Sequence, residues 1–466
     1  IEGDLTTPAY TEPLSVDFLK ANDKLVLDTA FFPIDFKYRL LAEMDGHEDI
    51  DTHTNGLLVH SENFQALRLL QERYKGQAKC IYIDPPYNAK SSEILYKNTY
   101  KHASWLSLMY DRLLMGALMM RADCVHVVAI DEVEQEVLGQ ILRMVFPAQI
   151  VACLPAVHNP RGQQGKNISY VHEFAYFIYP GDEKKYIADT PKDEVDARNL
   201  RDSGGESDRE DAKTCFYPIL VKDDKVIGFG EIPSDEYHPE SANILREDGV
   251  IEVWPLDESG NEKKWRYSVN TINKIKDKLE PKNGRTCLQI IFNKDTGTVR
   301  SLWTGAKYDA SEYGTKVLQD MLGTHAAEQF SYPKSIHTVT ETLRVSIHDE
   351  TRPLVIDYFA GSATTAHSLI QMQREGSVNP KYVLAEMGEY FELVTRPRTL
   401  KAIYSADWKN GKPTTRDTGI SHCFKYLRLE SYEDALNNLE LEDRTPDVLG
   451  LPEKVAEDYL LRYALD

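Results

Sequence analysis

Cys80-Ile81-Tyr82-Ile83-Asp84-Pro85-Pro86-Tyr87 is the stretch that decides the fold. Its first four residues, rich in β-branched and aromatic side chains, read as a buried strand, and the paired prolines stop that strand. Asp84 therefore stands at a strand's carboxyl end, where ligands bind in open α/β sheets. The prolines fix φ and carry no backbone donor, so their carbonyls are left to accept. The product is a rigid corner of acceptors beside the Tyr87 ring. An amino group on a planar ring suits it: two N–H donors can meet the Asp84 carboxylate and the Pro85 carbonyl while the ring stacks on Tyr87.

A second strand end lies far downstream. Leu354-Val355-Ile356-Asp357 runs into Tyr358-Phe359-Ala360-Gly361-Ser362-Ala363, and a helix starts at Thr364 or Thr365. Small residues let this turn approach a ligand closely, and the helix start offers N–H donors to an acceptor. The next strand, Lys381-Tyr382-Val383-Leu384-Ala385, ends in Glu386.

Asp84-Pro85-Pro86-Tyr87 resembles the catalytic motif of the amino-methylating DNA methyltransferases, and its Asp form resembles the adenine-N6 enzymes. The downstream turn resembles their Phe-x-Gly-x-Gly loop, which binds S-adenosylmethionine. Here Ala363 stands where the second glycine is usual. Alanine is disfavoured at positive φ, so either the backbone there is not left-handed or strain is accepted. The resemblance implies a cofactor site made by Asp357, Phe359, Ala360, Gly361, Ser362 and Thr364, with Glu386 accepting from the ribose hydroxyls. Phe330-Ser331-Tyr332-Pro333-Lys334-Ser335 is similar to the motif before that loop, which implies Lys334 and Ser335 near the methionine moiety. His60-Ser61-Glu62-Asn63 has two readings: the loop that touches the cofactor's adenine end, through Asn63, or a plain helix capped by Ser61.

Between the anchors the chain alternates. A strand and helix over Asn55 to Arg73 come before the corner; a helix over Ser104 to Met120, a strand over Cys124 to Ile130 and a helix capped by Asp131 come after it. His172 to Tyr179 is a further strand, similar to the family's aromatic strand beside the target-base pocket. Such alternation predicts an α/β fold, a doubly wound Rossmann-like sheet. His126 and His172 are isolated and read as core or strand-end residues. The loop from Val157 to Asn167 carries Arg161 and Lys166, and is placed to close over DNA or to serve as a surface connection.

A formal net charge of −20 is awkward for a nucleic-acid binder, because phosphate contacts need local positive potential. Residues 261–300 supply a patch: ten Lys and Arg against four Asp and Glu. Lys263, Lys264 and Arg266 lie there among Trp265 and Tyr267, a pattern that fits a nucleic-acid surface or a solvated face. Asp193 to Asp211 is charge-dense and reads as exposed. Six scattered cysteines without a Cys-x-x-Cys pair read as reduced thiols in a cytoplasmic protein, with neither disulfide framework nor metal site. No apolar run approaches a membrane span.

The expected organisation is an N-terminal helical extension (1–50), a catalytic half of the methyltransferase core (51–180), an inserted target-recognition domain (181–325), a cofactor half (326–430) and a C-terminal helical segment (431–466). Helical spacing in that last segment without a stop suggests a longer parent chain. Closing segments at Trp408 to Pro413 and Phe424 to Leu436 are similar to the modification subunit of type III restriction systems, and the motif order is that of the β class. The resemblance implies an S-adenosylmethionine-dependent DNA adenine-N6 methyltransferase that acts on double-stranded DNA after flipping the base. It leaves a restriction or helicase subunit and a second copy of the chain as candidate partners. The Asp84 carboxylate, working by orientation, needs no raised pKa on this reading. Cytosine-N4 or RNA amino-methylation, or a non-catalytic DNA-binding subunit, are the competing functions.

Overall fold

The strand expected before Asp84 forms as β2, and it lies at the centre of an eight-stranded sheet. The computed structural model describes residues 13, 15–47, 50–88, 101–162, 167–348, 350–415 and 417–430. The sheet's strands are β1 (Gly56–His60), β2 (Ala78–Ile83), β3 (Met120–Ile130), β4 (Gln149–Val157), β5 (His172–Pro180), β6 (Leu354–Asp357), β7 (Lys381–Glu386) and β8 (Phe424–Arg428). Their spatial order is β8-β1-β7-β6-β2-β3-β5-β4. All neighbouring pairs are parallel except β5, which runs antiparallel to both β3 and β4.

Burial explains the composition of the central strands. Ile81, Ile83, Val125, Val127 and Val355 are fully covered, because helices pack on both faces of a parallel sheet and leave no polar side. Each such side chain contributes roughly 1.5 to 3 kcal/mol by leaving water. The helix Lys101–Met119, expected over Ser104 to Met120, buries Trp105, Met109 and Leu113 on one stripe at i, i+4 spacing. His126 is buried within β3 against Phe146 and Tyr358, and burial pulls its pKa down to about 3. It is a neutral core residue, as expected.

Several local expectations need correction. The helix Asn63–Tyr74 is capped by Glu62, not Ser61: its carboxylate accepts from the N–H groups of Phe64 and Gln65. The helix Gln135–Val145 starts after Glu134 rather than at Asp131. The edge strand β4 was not anticipated. Pro155 interrupts its pattern, and an edge is where a strand tolerates proline.

Ile187–Arg300 forms a unit of its own. It holds a four-stranded antiparallel sheet and a three-stranded one made by Thr190–Asn199, Leu279–Asn283 and Leu288–Gly297. The run from Asp193 is exposed over residues 194–197, as expected, and it also enters that strand, because pairing with Leu288–Gly297 satisfies its backbone regardless of side-chain charge. The expected boundary at residue 325 also moves. Ser301 onward belongs with the large sheet, where Trp303 bonds the backbone of Pro155 and Val157 and packs on Phe177.

The N-terminal stretch is helical over Val16–Ala21 and Ile34–His47. The segment 431–466 lies outside the described residues. Among the described residues no helix is long and apolar enough to cross a membrane.

Candidate active site

β2 and β6 lie side by side, and the chain leaves them in opposite directions. From β2 it passes through Lys101–Met119 to β3, while from β6 it passes through Thr364–Arg374 to β7 on the other side. This reversal is a topological switch point, which opens a crevice beyond the carboxyl ends of the two strands. Asp84 follows β2 and the 358–363 turn follows β6.

The corner after β2 is held from several sides. Trp105 Nε1 donates to the Pro86 carbonyl at 2.7 Å, so that oxygen is spent on structure. No donor among the described residues reaches the Pro85 carbonyl. Tyr87 Oη donates to Asp84 Oδ1 at 2.6 Å. Asn88, left-handed at φ 57°, donates to the fully buried Glu134 at 2.6 Å and so fixes the exit of the loop.

Two further groups complete the corner. Lys334 Nζ donates to Glu173 Oε2 and Tyr87 Oη, and lies 3.3 Å from Asp84 Oδ1. Glu173 reaches in from β5. The loop that delivers Lys334 is tight: Tyr332 adopts φ 60°, and Gly314 passes so near that a Cβ there would meet the Pro333 carbonyl at 2.2 Å.

Charges in the corner oppose one another. Burial raises the Asp84 carboxyl above the usual carboxylate range, and Lys334 pulls it partway back. The shift is upward although the Asp84 side chain stays 27% exposed, and a role in orientation alone does not call for it. Burial, then the Asp84 and Asp131 charges, hold Glu173 well above its ordinary value, while burial lowers the Lys334 ammonium. Desolvation costs several kcal/mol per ion, and only close pairing offsets it.

The turn after β6 is equally constrained. Asp357 Oδ1 accepts from Phe359 N–H at 3.0 Å and Oδ2 from Thr365 Oγ1 at 2.6 Å. Ala360 N–H donates to Ala385 of β7 at 3.2 Å. Gly361 has φ +51°, and a Cβ there would meet Phe330 Cζ at 3.0 Å. Ala363 does adopt the left-handed conformation, φ 62° and ψ 36°, so strain is accepted. Glu386 Oε2 accepts from Gly361 N–H at 2.7 Å, and Oε1 accepts from Met387 and Gly388. Asn63 donates to the Tyr358 carbonyl at 3.0 Å and accepts from Arg112.

A buried guanidinium lies under the turn. Arg398 donates to Ser362 Oγ and Thr364 Oγ1, both at 2.8 Å. Its Nη2 has no partner among the described residues. No sequence signal marked Arg398 or Glu134, and Glu173 was marked only through its strand, since each acts on a segment remote in the chain. Asp84, Tyr87 and Lys334 come together as a cluster, and Asn63, Asp357, Phe359, Ala360, Gly361, Ser362, Thr364 and Glu386 gather around the turn. Ser335 instead donates to the Lys307 carbonyl at 2.7 Å.

The expected DNA-contacting residues fare differently. Arg161 is exposed, and Lys166 lies outside the described residues. Lys263 pairs with Asp208, and Arg266 with Asp202 at 3.0 Å. Trp265 is buried and donates to the Tyr217 carbonyl, so it belongs to the unit's core and is not a stacking platform. Lys264 uses its backbone to bond Ser207 and Asp202. No group of three or more His, Cys, Asp or Glu is placed to hold a metal among the described residues.

The family model for DNA methylases matches residues 78–396, from the first residue of β2 to the start of the helix that carries Arg398. The chain belongs to the DNA methylase family. Asp84, Glu173, Lys334 and Glu386 all fall inside the matched DNA methylase segment, while Asn63 and Arg398 flank it. The chain is 23% identical over 406 residues to the EcoPI Mod subunit of a type III restriction-modification enzyme from Escherichia phage P1, covering 75% of this chain and 60% of that protein. It is 24% identical over 379 residues to the type II methyltransferase M.KpnI of Klebsiella pneumoniae, covering 74% and 84%. Against the probable HindVI Mod subunit of Haemophilus influenzae it is 23% identical over 474 residues, covering 91% and 60%. The chain thus spans about three fifths of the length of the Mod subunits it matches.

Proposed function

We propose that this DNA methylase transfers a methyl group from S-adenosylmethionine to the N6 amino group of adenine in double-stranded DNA. One observation carries the reading: an acceptor corner and a close-approach turn stand side by side at the switch point between β2 and β6. The names of the relatives, Mod subunits and a methyltransferase, support it.

The residues around the turn suit the cofactor. Gly361 leaves room that a side chain would fill, Glu386 offers carboxylate oxygens at the tip of the neighbouring strand, and Asn63 and Asp357 hold the walls. When bound, S-adenosylmethionine supplies an electrophilic methyl group. The chain's own residues do the rest. Asp84 and the Pro85 carbonyl accept hydrogen bonds from the two amino N–H groups of the flipped base, which draws the nitrogen lone pair out of conjugation with the ring. Tyr87 supplies a stacking face, fixed by its bond to Asp84. The raised Asp84 carboxyl suits it to accept the proton that the alkylated nitrogen must lose.

On this reading the Ile187–Arg300 unit reads the DNA sequence, and the protein works in the cytoplasm within a restriction-modification system. A restriction or helicase subunit and a second copy of the chain are its candidate partners. Incubation with methyl-labelled cofactor and unmethylated DNA tests the proposal. Label should enter DNA with the wild type and not with Asp84→Ala; equal incorporation by both would refute the assigned corner.

A further inference from the structure

The Lys334 ammonium has three donors, and each already faces an acceptor: Glu173 Oε2, Tyr87 Oη and, at 3.3 Å, Asp84 Oδ1. Both members of the Lys334–Glu173 pair are nine-tenths buried. A buried ion pair is costly unless fully satisfied, and a cluster this tight therefore calls for a use. The cofactor turn does not provide it, since nothing around that turn bonds the ammonium among the described residues.

The corner itself provides one. Because the ammonium bonds the phenol oxygen, it stands at the hydroxyl rim of the Tyr87 ring, with its nitrogen 4.5 Å from the ring centre. A base stacked on Tyr87 with its amino group on Asp84 would bring its adjoining edge to that rim. An acceptor and a donor 3.3 Å apart form a two-point match for adjacent groups of opposite polarity. In adenine the amino group and N1 are bonded to the same carbon, the first a donor and the second an acceptor.

We propose that Lys334 recognises the ring nitrogen beside the amino group of the target base, adenine N1, and that Glu173 is the positioning residue that holds Lys334 there. This deepens the proposed function and rests on it. When the amino group takes Asp84, the ammonium donor that faced Asp84 turns to N1. The exchange conserves hydrogen bonds: Asp84 loses one donor and gains another, and Lys334 exchanges one acceptor for another. Glu173 keeps the ammonium from following Asp84 out of register. The pair therefore selects bases that carry an acceptor next to the exocyclic amine.

The test uses the full chain and target-base analogues. Sequencing the methylated product of the wild-type reaction first locates the target adenine. Duplexes then carry 1-deazaadenine or 7-deazaadenine at that position only, and the single-turnover transfer rate is read at saturating DNA. The 1-deaza base lacks the acceptor, yet its amino nitrogen is no less nucleophilic and its pairing is weaker, so neither chemistry nor flipping should slow it. The wild type should lose about 10- to 100-fold on 1-deazaadenine, the worth of a hydrogen bond to a charged group. It should keep its rate on 7-deazaadenine.

The double variant Lys334→Met/Glu173→Gln removes the ammonium without leaving a lone buried carboxylate. It should be slow on adenine and lose nothing further on 1-deazaadenine. A wild type indifferent to 1-deazaadenine overturns the inference without need of any variant, as does a double variant that loses the same extra factor as the wild type. In both cases methyl transfer to adenine would leave the proposed function standing. A wild type that methylates no base would overturn both.

Discussion

The backbone N–H of Gly361 donates to Glu386 Oε2 at 2.7 Å, which ties the close-approach turn after β6 to the tip of β7. Glu386 therefore holds the turn, and the proposed function gives it a second duty, presenting oxygens to the cofactor. Glu386→Ala should weaken S-adenosylmethionine binding by about 1 to 3 kcal/mol, the range for a hydrogen-bonded charged group. Gly361→Val should weaken it further, because φ is +51° and a Cβ would press on Phe330. Calorimetry decides: unchanged affinity in both variants would move the cofactor elsewhere.

Asp84→Ala removes the acceptor at the end of β2 but touches none of the turn. Methyl transfer should vanish while cofactor affinity stays near that of the wild type. Comparable turnover at saturating DNA would contradict the role given to Asp84.

Asp357 makes stability depend on pH. Burial pushes its carboxyl up to about 7, against hydrogen bonds from Thr365 and Phe359 that lower it. In the unfolded chain an Asp titrates at about 4. Between these values the folded state binds more protons, so stability is greatest below the lower value and declines as pH rises through about 7. Asp131, pushed to about 6 by burial, adds the same sign. Urea midpoints should fall between pH 5 and pH 8, and Asp357→Asn should flatten that fall. Identical slopes would show that Asp357 is charged throughout.

Cations in the Ile187–Arg300 unit should divide into two kinds. Lys263 and Arg266 are committed to Asp208 and Asp202, so replacing them should lower the melting temperature more than it changes DNA affinity. Lys282, near the end of the strand Leu279–Asn283, and Arg285, in the turn that follows, are exposed. Replacing those two should reduce the logarithmic salt slope of DNA binding by roughly 0.9 for each phosphate that is no longer neutralised. The reverse pattern, in a filter-binding salt series, would restore Lys263 and Arg266 as the DNA-facing surface.

The core and both anchors were legible because they are local signals: a β-branched run stopped by prolines, and another stopped by small residues. The pattern could not show pairing across the fold. Glu173 and Lys334 are 161 positions apart, and neither has a neighbour in sequence that announces the other. Composition likewise marked residues 261–300 as basic without revealing that Asp202 and Asp208, outside that window, neutralise two of its cations. Ala363 was legible as a departure, and magnitudes explain why it is tolerated. Left-handed strain of about 1 to 2 kcal/mol is offset by roughly 0.8 from its buried methyl and about 0.4 to 1 from a less flexible unfolded chain than glycine would give.

The identity of the modified nucleoside tests the central claim most directly. DNA free of methylation is incubated with the protein and methyl-labelled S-adenosylmethionine, digested to nucleosides and separated by chromatography with mass detection. The proposed role of the Asp84 corner predicts label in N6-methyldeoxyadenosine, absent with Asp84→Ala. Label in N4-methyldeoxycytidine, or DNA that stays unlabelled while the protein binds the cofactor, would contradict it.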